Sequence, residues 1–254
     1  MLVLLLQFVI APGLVAAATL AARTWGHAAG GLLSAFPAIV GPVLLIGAIS
    51  HGPAFAARSA VGTLLGLATL SGFVVAYART APHTGWPLSL AAGWAVAALL
   101  ALVVGAIDSG LAAALAIAVL SLVLAHRSLP RVVAPPVPPP APAWDLPVRM
   151  AMTALLVVAL AAAAARLGPT VGGILAALPV LACVLAAFTH DQHGPAAVTQ
   201  LLRGMLAGMA GFVAFCALVA GLVEPVGVAA AFALATVTAL AAQVAVARRQ
   251  ATIS

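Results

Sequence analysis

Apolar runs of about twenty residues, broken at intervals by small clusters of Gly, Pro, Arg and His, make up almost the whole chain. A bilayer core about 30 Å thick takes roughly 20 helical residues to cross. On that scale the pattern predicts nine spans, near 2–22, 28–50, 53–78, 85–105, 109–126, 146–165, 170–190, 195–221 and 227–247. The stretch 85–126 is too long for one crossing. Asp108-Ser109-Gly110 in its middle supplies a turn and a helix cap, so it reads as a hairpin. Between the fifth and sixth spans, Pro135, Pro136, Pro138, Pro139, Pro140 and Pro142 exclude helix and predict an extended strap joining two halves. Asp145 and Pro147 then open the sixth span as cap and first-turn proline.

The two halves repeat one another at an offset of 142 residues. Gly30-Gly31-Leu32-Leu33-Ser34-Ala35-Phe36-Pro37 aligns with Gly172-Gly173-Ile174-Leu175-Ala176-Ala177-Leu178-Pro179, and His51-Gly52-Pro53-Ala54 with His193-Gly194-Pro195-Ala196. The register continues through Gly62/Gly204, Gly66/Gly208 and Phe73/Phe215. Shared apolar composition inflates matches among Ala and Leu, but not among Gly, Pro and His in one register. The expected organisation is therefore repeat 1 over 1–106, a linking helix over 107–127, a proline-rich cytoplasmic linker over 128–145, and repeat 2 over 146–254. One odd crossing between two four-span units inverts the second in the membrane. The fold class expected is an all-α polytopic membrane protein, nine transmembrane helices in a 4+1+4 inverted repeat with helices 2 and 7 broken by proline.

Composition narrows the class. The chain of 254 residues is 65% hydrophobic and 6% charged, against roughly a quarter charged in an ordinary globular domain. Its charges are too few to solvate a water-soluble surface of this size. The formal net charge of +6 comes from Arg alone among Lys and Arg, scattered rather than patched. Arg23, Arg79, Arg127, Arg131, Arg149, Arg248 and Arg249 fall on one side of the nine-span topology and only Arg166 in a loop on the other. Basic loops stay cytoplasmic, so the N-terminus is expected outside and the C-terminus inside, in a bacterial inner membrane. Cys183 and Cys216 lie within apolar stretches and read as packing residues.

Few residues carry chemistry. Pro37 and Pro179 sit near the middles of matched spans, and each denies a hydrogen bond to the carbonyl four residues before it, on Leu33 and Leu175. Broken helices at corresponding positions of two halves are the best sequence pointer to a transport site. Leu33, Ser34, Phe36, Pro37, Leu175, Leu178 and Pro179 are thus the candidate substrate-binding residues, with Arg203, which lies inside its span where an Arg usually faces a cavity or partner. His51, His190, His193, Asp191 and Arg58, at span ends, are the candidate gating or titrating groups, with Asp191 placed to pair with Arg203. The glycine-rich stripes at 30–38 and 172–176 predict close crossing of the two proline helices. Asp108, Asp145, Asp191 and Glu224 all fall at span ends, which leaves no buried carboxylate to carry a proton or sodium ion. Enzyme signatures are absent: there is no HExxH, no nucleophile elbow and no phosphate-cradling loop. No catalytic residue, cofactor or metal is expected.

The run Gly31-Leu32-Leu33-Ser34-Ala35-Phe36-Pro37 and its mate at 173–179 resemble the glycine-to-proline helix of the small GlpM-type inner-membrane proteins. Those have about four spans, so the chain resembles two such units fused through an added helix. The resemblance implies a role in envelope polysaccharide production and carries over no catalytic residues. The reading the residues favour is a secondary transporter or exporter of a small polar or anionic solute. The alternatives are a non-transporting accessory protein of envelope polysaccharide assembly, or a lipid flippase. The expected partners are the solute and membrane lipid, with no nucleic acid, and a homodimer is compatible.

Overall fold

The computed structural model describes residues 2–107, 109–130, 142–176 and 179–253, with side chains described in these except 2–8, 160–161, 163–176 and 250–253. The described residues are all-helical, in nine helices: α1 (Leu2–Trp25), α2 (His27–Ser34), α3 (Val40–His51), α4 (Pro53–Thr80), α5 (Trp86–Gly105), α6 (Leu111–Ser128), α7 (Asp145–Ala176), α8 (Val180–Leu222) and α9 (Val228–Ile253). Five of them, α4, α5, α6, α8 and α9, are long and apolar enough to cross a membrane. That is consistent with a multi-pass membrane protein.

The helices do not coincide with the nine expected spans. The span expected over 28–50 is two helices, because Pro37 ends α2 and the chain regains helix only at Val40. The turn expected between the sixth and seventh spans is replaced by helix, and α7 runs on to Ala176. The alanine run 161–165 favours this, since Ala is the strongest helix former. The seventh span is shared between the end of α7 and the start of α8, and the expected division from the eighth falls at Gly194 (φ 79°, ψ −178°), where the helical course of α8 breaks ahead of Pro195. The hairpin over 85–126 is present as α5 and α6, but α6 opens from Gly110 without a side-chain cap. Asp108 and most of the proline-rich linker lie outside the described residues.

Two matched interruptions do appear in the backbone. Helix lapses around Pro37 and again at Pro179, which caps α8 with φ −81° and ψ 75°. Gly52, between α3 and α4, has φ 89° and ψ 167°, close to Gly194 in its own His-Gly-Pro triplet. Both glycines sit in the left-handed region that an L side chain rarely enters, which is why punctuation there requires glycine.

α4 and α8 form the hub. They pack on each other, α4 also touches α3, α5 and α6, and α8 touches α2, α6, α7 and α9. Leu64, Phe73 and Tyr77 of α4 and Leu202 and Met205 of α8 are buried in one shared core, whereas Leu201 packs with Val15 and Ala18 of α1. The outer helices dock by narrow stripes of small residues: Ser89, Gly93 and Ala97 on α5, and Ala231, Ala235 and Ala239 on α9. Lipid tails are as apolar as Leu and give helices no hydrophobic reason to associate, so close backbone approach takes over. The other faces of α5 and α9 carry exposed Leu99, Leu102, Leu234 and Val237, and α6 carries exposed Leu120 and Leu124.

The closest approach joins α2 to α8. A Cβ on Gly31 would meet the Leu201 carbonyl and come within 2.7 Å of the Met205 amide, and one on Gly204 would strike the Ala28 carbonyl. The glycines of the first proline helix thus cross the second half of α8, whereas the expected crossing was with the second proline helix. Gly172 and Gly173 lie outside the residues with described side chains. Because backbone cannot yield as a side chain can, Gly31→Ala and Gly204→Ala should each cost about 1–3 kcal/mol or more. Gly62→Ala, with open space around it, should be neutral or slightly stabilising, and thermal unfolding of the detergent-solubilised variants measures the contrast.

Candidate functional site

A cluster of polar side chains forms at one end of the bundle. α1 ends there with Arg23, α2 begins with His27, α7 begins with Asp145 and Arg149, and α8 reaches the bend at Gly194 through Gln192 and His193. Each placement has a local cause. Asp145 and Arg149 stand four apart and share one helix face. Gly26 (φ 91°) turns the chain between α1 and α2, and Gly194 turns it after His193. A left-handed glycine thus adjoins each of the two histidines.

Asp145 is the node. Its side chain is 1% exposed, and both oxygens are fully used. Oδ2 accepts from Arg23 Nη2 at 2.7 Å and from Arg149 Nε at 2.9 Å. Oδ1 accepts from Arg149 Nε at 2.8 Å and from Gln192 Nε2 at 2.6 Å. Gln192 closes the ring by accepting from Arg149 Nη2 at 3.1 Å. The Phe188 ring lies 5.0 Å under the Arg149 guanidinium, a cation–π contact. Burial pushes the Asp145 carboxyl up, but hydrogen bonds from Arg149 and Gln192 with the nearby Arg charges outweigh it and hold the group below its ordinary range. The network ties α1, α7 and α8 together and leaves one positive charge in excess.

Beside it lies a pair that no hydrogen bond explains. His27 is 6% exposed and neither of its ring nitrogens has a partner. The His193 ring stands 5.0 Å away, tilted by 56°, and its Nδ1 is buried and unpartnered too. Burial, then His193 and Arg149, lower the His27 imidazole to about 4, so it is neutral at neutral pH. Further along the same face of α8, buried His190 shares a 3.3 Å hydrogen bond through Nδ1 with the Tyr77 hydroxyl at the end of α4. Cys183 accepts from Trp94 Nε1 at 2.8 Å.

The expected site residues distribute differently. Around the first break, the Leu33 carbonyl freed by Pro37 accepts from the Phe36 amide at 3.2 Å, a tighter turn in place of the lost bond. The Ser34 hydroxyl is buried and donates to the Gly31 carbonyl at 2.7 Å. Phe36 packs half-buried against the core and Pro37 is buried. The neighbouring Leu32 carbonyl receives Gln243 Nε2 from α9 at 3.3 Å. At the second break Pro179 is half-buried and its carbonyl accepts from the Cys183 amide at 2.9 Å. Leu178 and the Leu175 side chain lie outside the described residues.

Arg203 does not reach Asp191. Its Nη2 donates to the carbonyls of Leu129 and Pro130, at 3.3 and 2.9 Å, and fastens the end of α6 to α8. Asp191 is exposed. His51, stacked on Phe55 at 4.7 Å, and exposed Arg58 stand at the start of α4, whereas the cluster adjoins its end. His190 and His193 are thus brought to the polar end, and His51 and Arg58 are not.

Asp145 overturns the expectation that every carboxylate lies outside the core. It was read as a cap, yet its oxygens go to three side chains rather than to the first amides of α7. Its spacing to Arg149 and the assignment of Arg23 and Arg149 to one side were the available signals. His27 had no sequence counterpart, because Pro169 stands at the matching position of the second half. Among the described residues no group of three His, Cys, Asp or Glu can hold a metal ion. Compared with models of known families, with curated proteins and with solved structures, the chain matches none.

Two outcomes follow from this geometry. Asp145→Asn should lower stability by roughly 3 kcal/mol, the low end for breaking a buried ion pair, since Arg23 is one-third exposed and keeps water contact. A denaturant or thermal series on the purified variant measures it. For pH, the His27 imidazole is depressed in the folded state and near 6.5 when unfolded. The unfolded chain therefore binds the extra proton, and stability falls as pH drops from about 6.5 towards 4. His27→Gln should flatten the slope of melting temperature against pH in that window.

Proposed function

We propose that the chain is a secondary transporter or exporter of a small polar or anionic solute, working by alternating access across the inner membrane. The observation that carries this reading is the doubled interruption: helix lapses at Pro37 and Pro179, and left-handed glycines follow at Gly52 and Gly194, each pair 142 residues apart. Irregular backbone at membrane depth is tolerated only where protein or a water-filled cavity surrounds it. Discontinuous helices from two repeats are the means by which many transporters build a midplane site. The close crossing of α2, from the first half, on α8, from the second, supports a site between the halves.

On this reading Leu33, Ser34, Phe36 and Pro37 line the site from one half and Pro179 from the other, with Leu175 and Leu178 assigned to it from the sequence repeat alone. Arg203 stiffens the α6–α8 contact beside them. The polar end, through His190, His193 and Asp191, serves as one gate, with His51 and Arg58 at the other mouth. The excess positive charge around Asp145 favours an anionic or polar solute at the entrance. The satisfied Ser34 hydroxyl and Leu33 carbonyl also suit a second reading, an accessory protein of envelope polysaccharide assembly whose breaks are only packing kinks.

Reconstitution separates the two. Proteoliposomes holding the full chain should show saturable uptake or counterflow of small organic anions, and Pro37→Ala should cut the rate by about tenfold at unchanged folding, as mending the helix removes the break. A folded protein that moves none of a broad anion and polar-solute panel, yet co-purifies with an assembly partner, would sink the transport reading.

A further inference from the structure

His27 and His193 are the polar groups at this end that the Asp145 network leaves over. Three of their four ring nitrogens are buried without a partner: both on His27, and Nδ1 on His193. A buried polar atom without a hydrogen bond costs about 1–3 kcal/mol, so three together in one place call for an occupant. The rings already face one another at 5.0 Å between centroids. Two neutral imidazoles so placed can each donate from one nitrogen and accept at the other. A single added proton makes one ring a donor at both nitrogens, and a small ring rotation then gives it an N–H···N bond to its neighbour. A second proton would set two cations side by side in a buried site.

The surroundings decide what the first proton does. From α7 the pair faces Arg149 and Asp145, and from α1 Arg23. On α8 itself His190 is bonded to Tyr77 of α4, and Asp191 is exposed. α6 brings His126 beside Arg203, α5 carries no charged residue, and α9 meets α2 through Gln243 with Arg248 and Arg249 nearer its C-terminus. A cation arriving here adds to a network that already has one positive charge too many, and competes with Arg149 for the single carboxylate that holds α1, α7 and α8 together.

We propose that His27 and His193 bind one proton between them, and that this proton loosens the closure made by Arg23, Asp145, Arg149 and Gln192. His193, half-buried, receives the proton, and buried His27 accepts its hydrogen bond. With both rings neutral the closure holds. With one proton on the pair, Arg149 is repelled, and α1 with α7 separates from α8 at the bend beside Gly194. As a proton site the pair stands on its own geometry. As the coupling site of a transporter it rests on the function proposed above.

Two measurements on the full chain in lipid nanodiscs test this, both without solute. In protein with ring-labelled histidine, six signals are expected, and the one lost in His193→Gln should titrate; His27→Leu should move its midpoint by about half a pH unit or more, because its hydrogen-bond acceptor is gone. Nitroxide labels at exposed Pro82 and Trp144, with buried Cys183 and Cys216 left in place, report the closure. Their separation should change by about 5 Å between pH 8 and pH 5, in the range of known helix shifts. The change should vanish in the His27→Gln/His193→Gln double variant, or in His193→Gln alone if the double variant fails to fold. A His193 midpoint indifferent to His27, a distance that ignores pH, or a pH response that survives loss of His193 would each overturn the proposal. A protein that transports nothing can still pass this test, and one that transports can fail it.

Discussion

The spacing between α2 and α8 sets the rest of the molecule. In hydrocarbon, helices gain nothing by hiding apolar side chains from one another, so their association depends on how near two backbones come. Gly31 and Gly204 let backbone meet backbone, with carbonyls and amides of one helix where Cβ atoms of the other would be, and Gly208 makes room for Ala35 and Leu32. That contact draws α2 onto the hub of α4 and α8 and carries His27 to within a ring's width of His193. With a bulkier residue at Gly31, α2 would stand off and the polar end would come apart with it.

The same scarcity of alternatives explains the buried charges. A carboxylate out of water is expensive unless fully bonded, and Asp145 meets that demand with four short hydrogen bonds from three residues. None of the three lies near it in sequence except Arg149. The network therefore works as a lock across distant parts of the chain: α1, α7 and α8 are positioned by a single anion. Where the bundle's core is held by small, uniform contacts, this end is held by a few strong ones. It is the part of the molecule most open to control by charge.

The class of fold was legible because hydrophobic runs at membrane length have few other meanings. The helix breaks at Pro37 and Gly52 were legible too, since there the local backbone chemistry of proline and glycine decides the outcome. Helix boundaries inside continuous apolar sequence were not. Around Gly168-Pro169 the alanine run wins and α7 continues, a competition between propensities that the pattern alone cannot arbitrate. The polar end was hidden for a different reason. Asp145, Gln192 and Arg23 each look like ordinary helix-end punctuation, and only folding brings 23, 145 and 192 together. Pro37 cannot serve the Leu33 carbonyl, yet that carbonyl is not free, because a tightened turn supplies the Phe36 amide within the same loop.

Gly194 gives the bend in α8 a mechanical meaning. The segment beyond it, from 195 to 222, is about 42 Å long at 1.5 Å per residue. A rotation of only about 10° at that one glycine would sweep the far end through about 7 Å, by the same helix geometry. The histidines and the ion-paired carboxylate sit at the fulcrum, where movement is least. Whatever changes their charge acts on the short arm of a lever whose long arm carries α9 and much of the buried core.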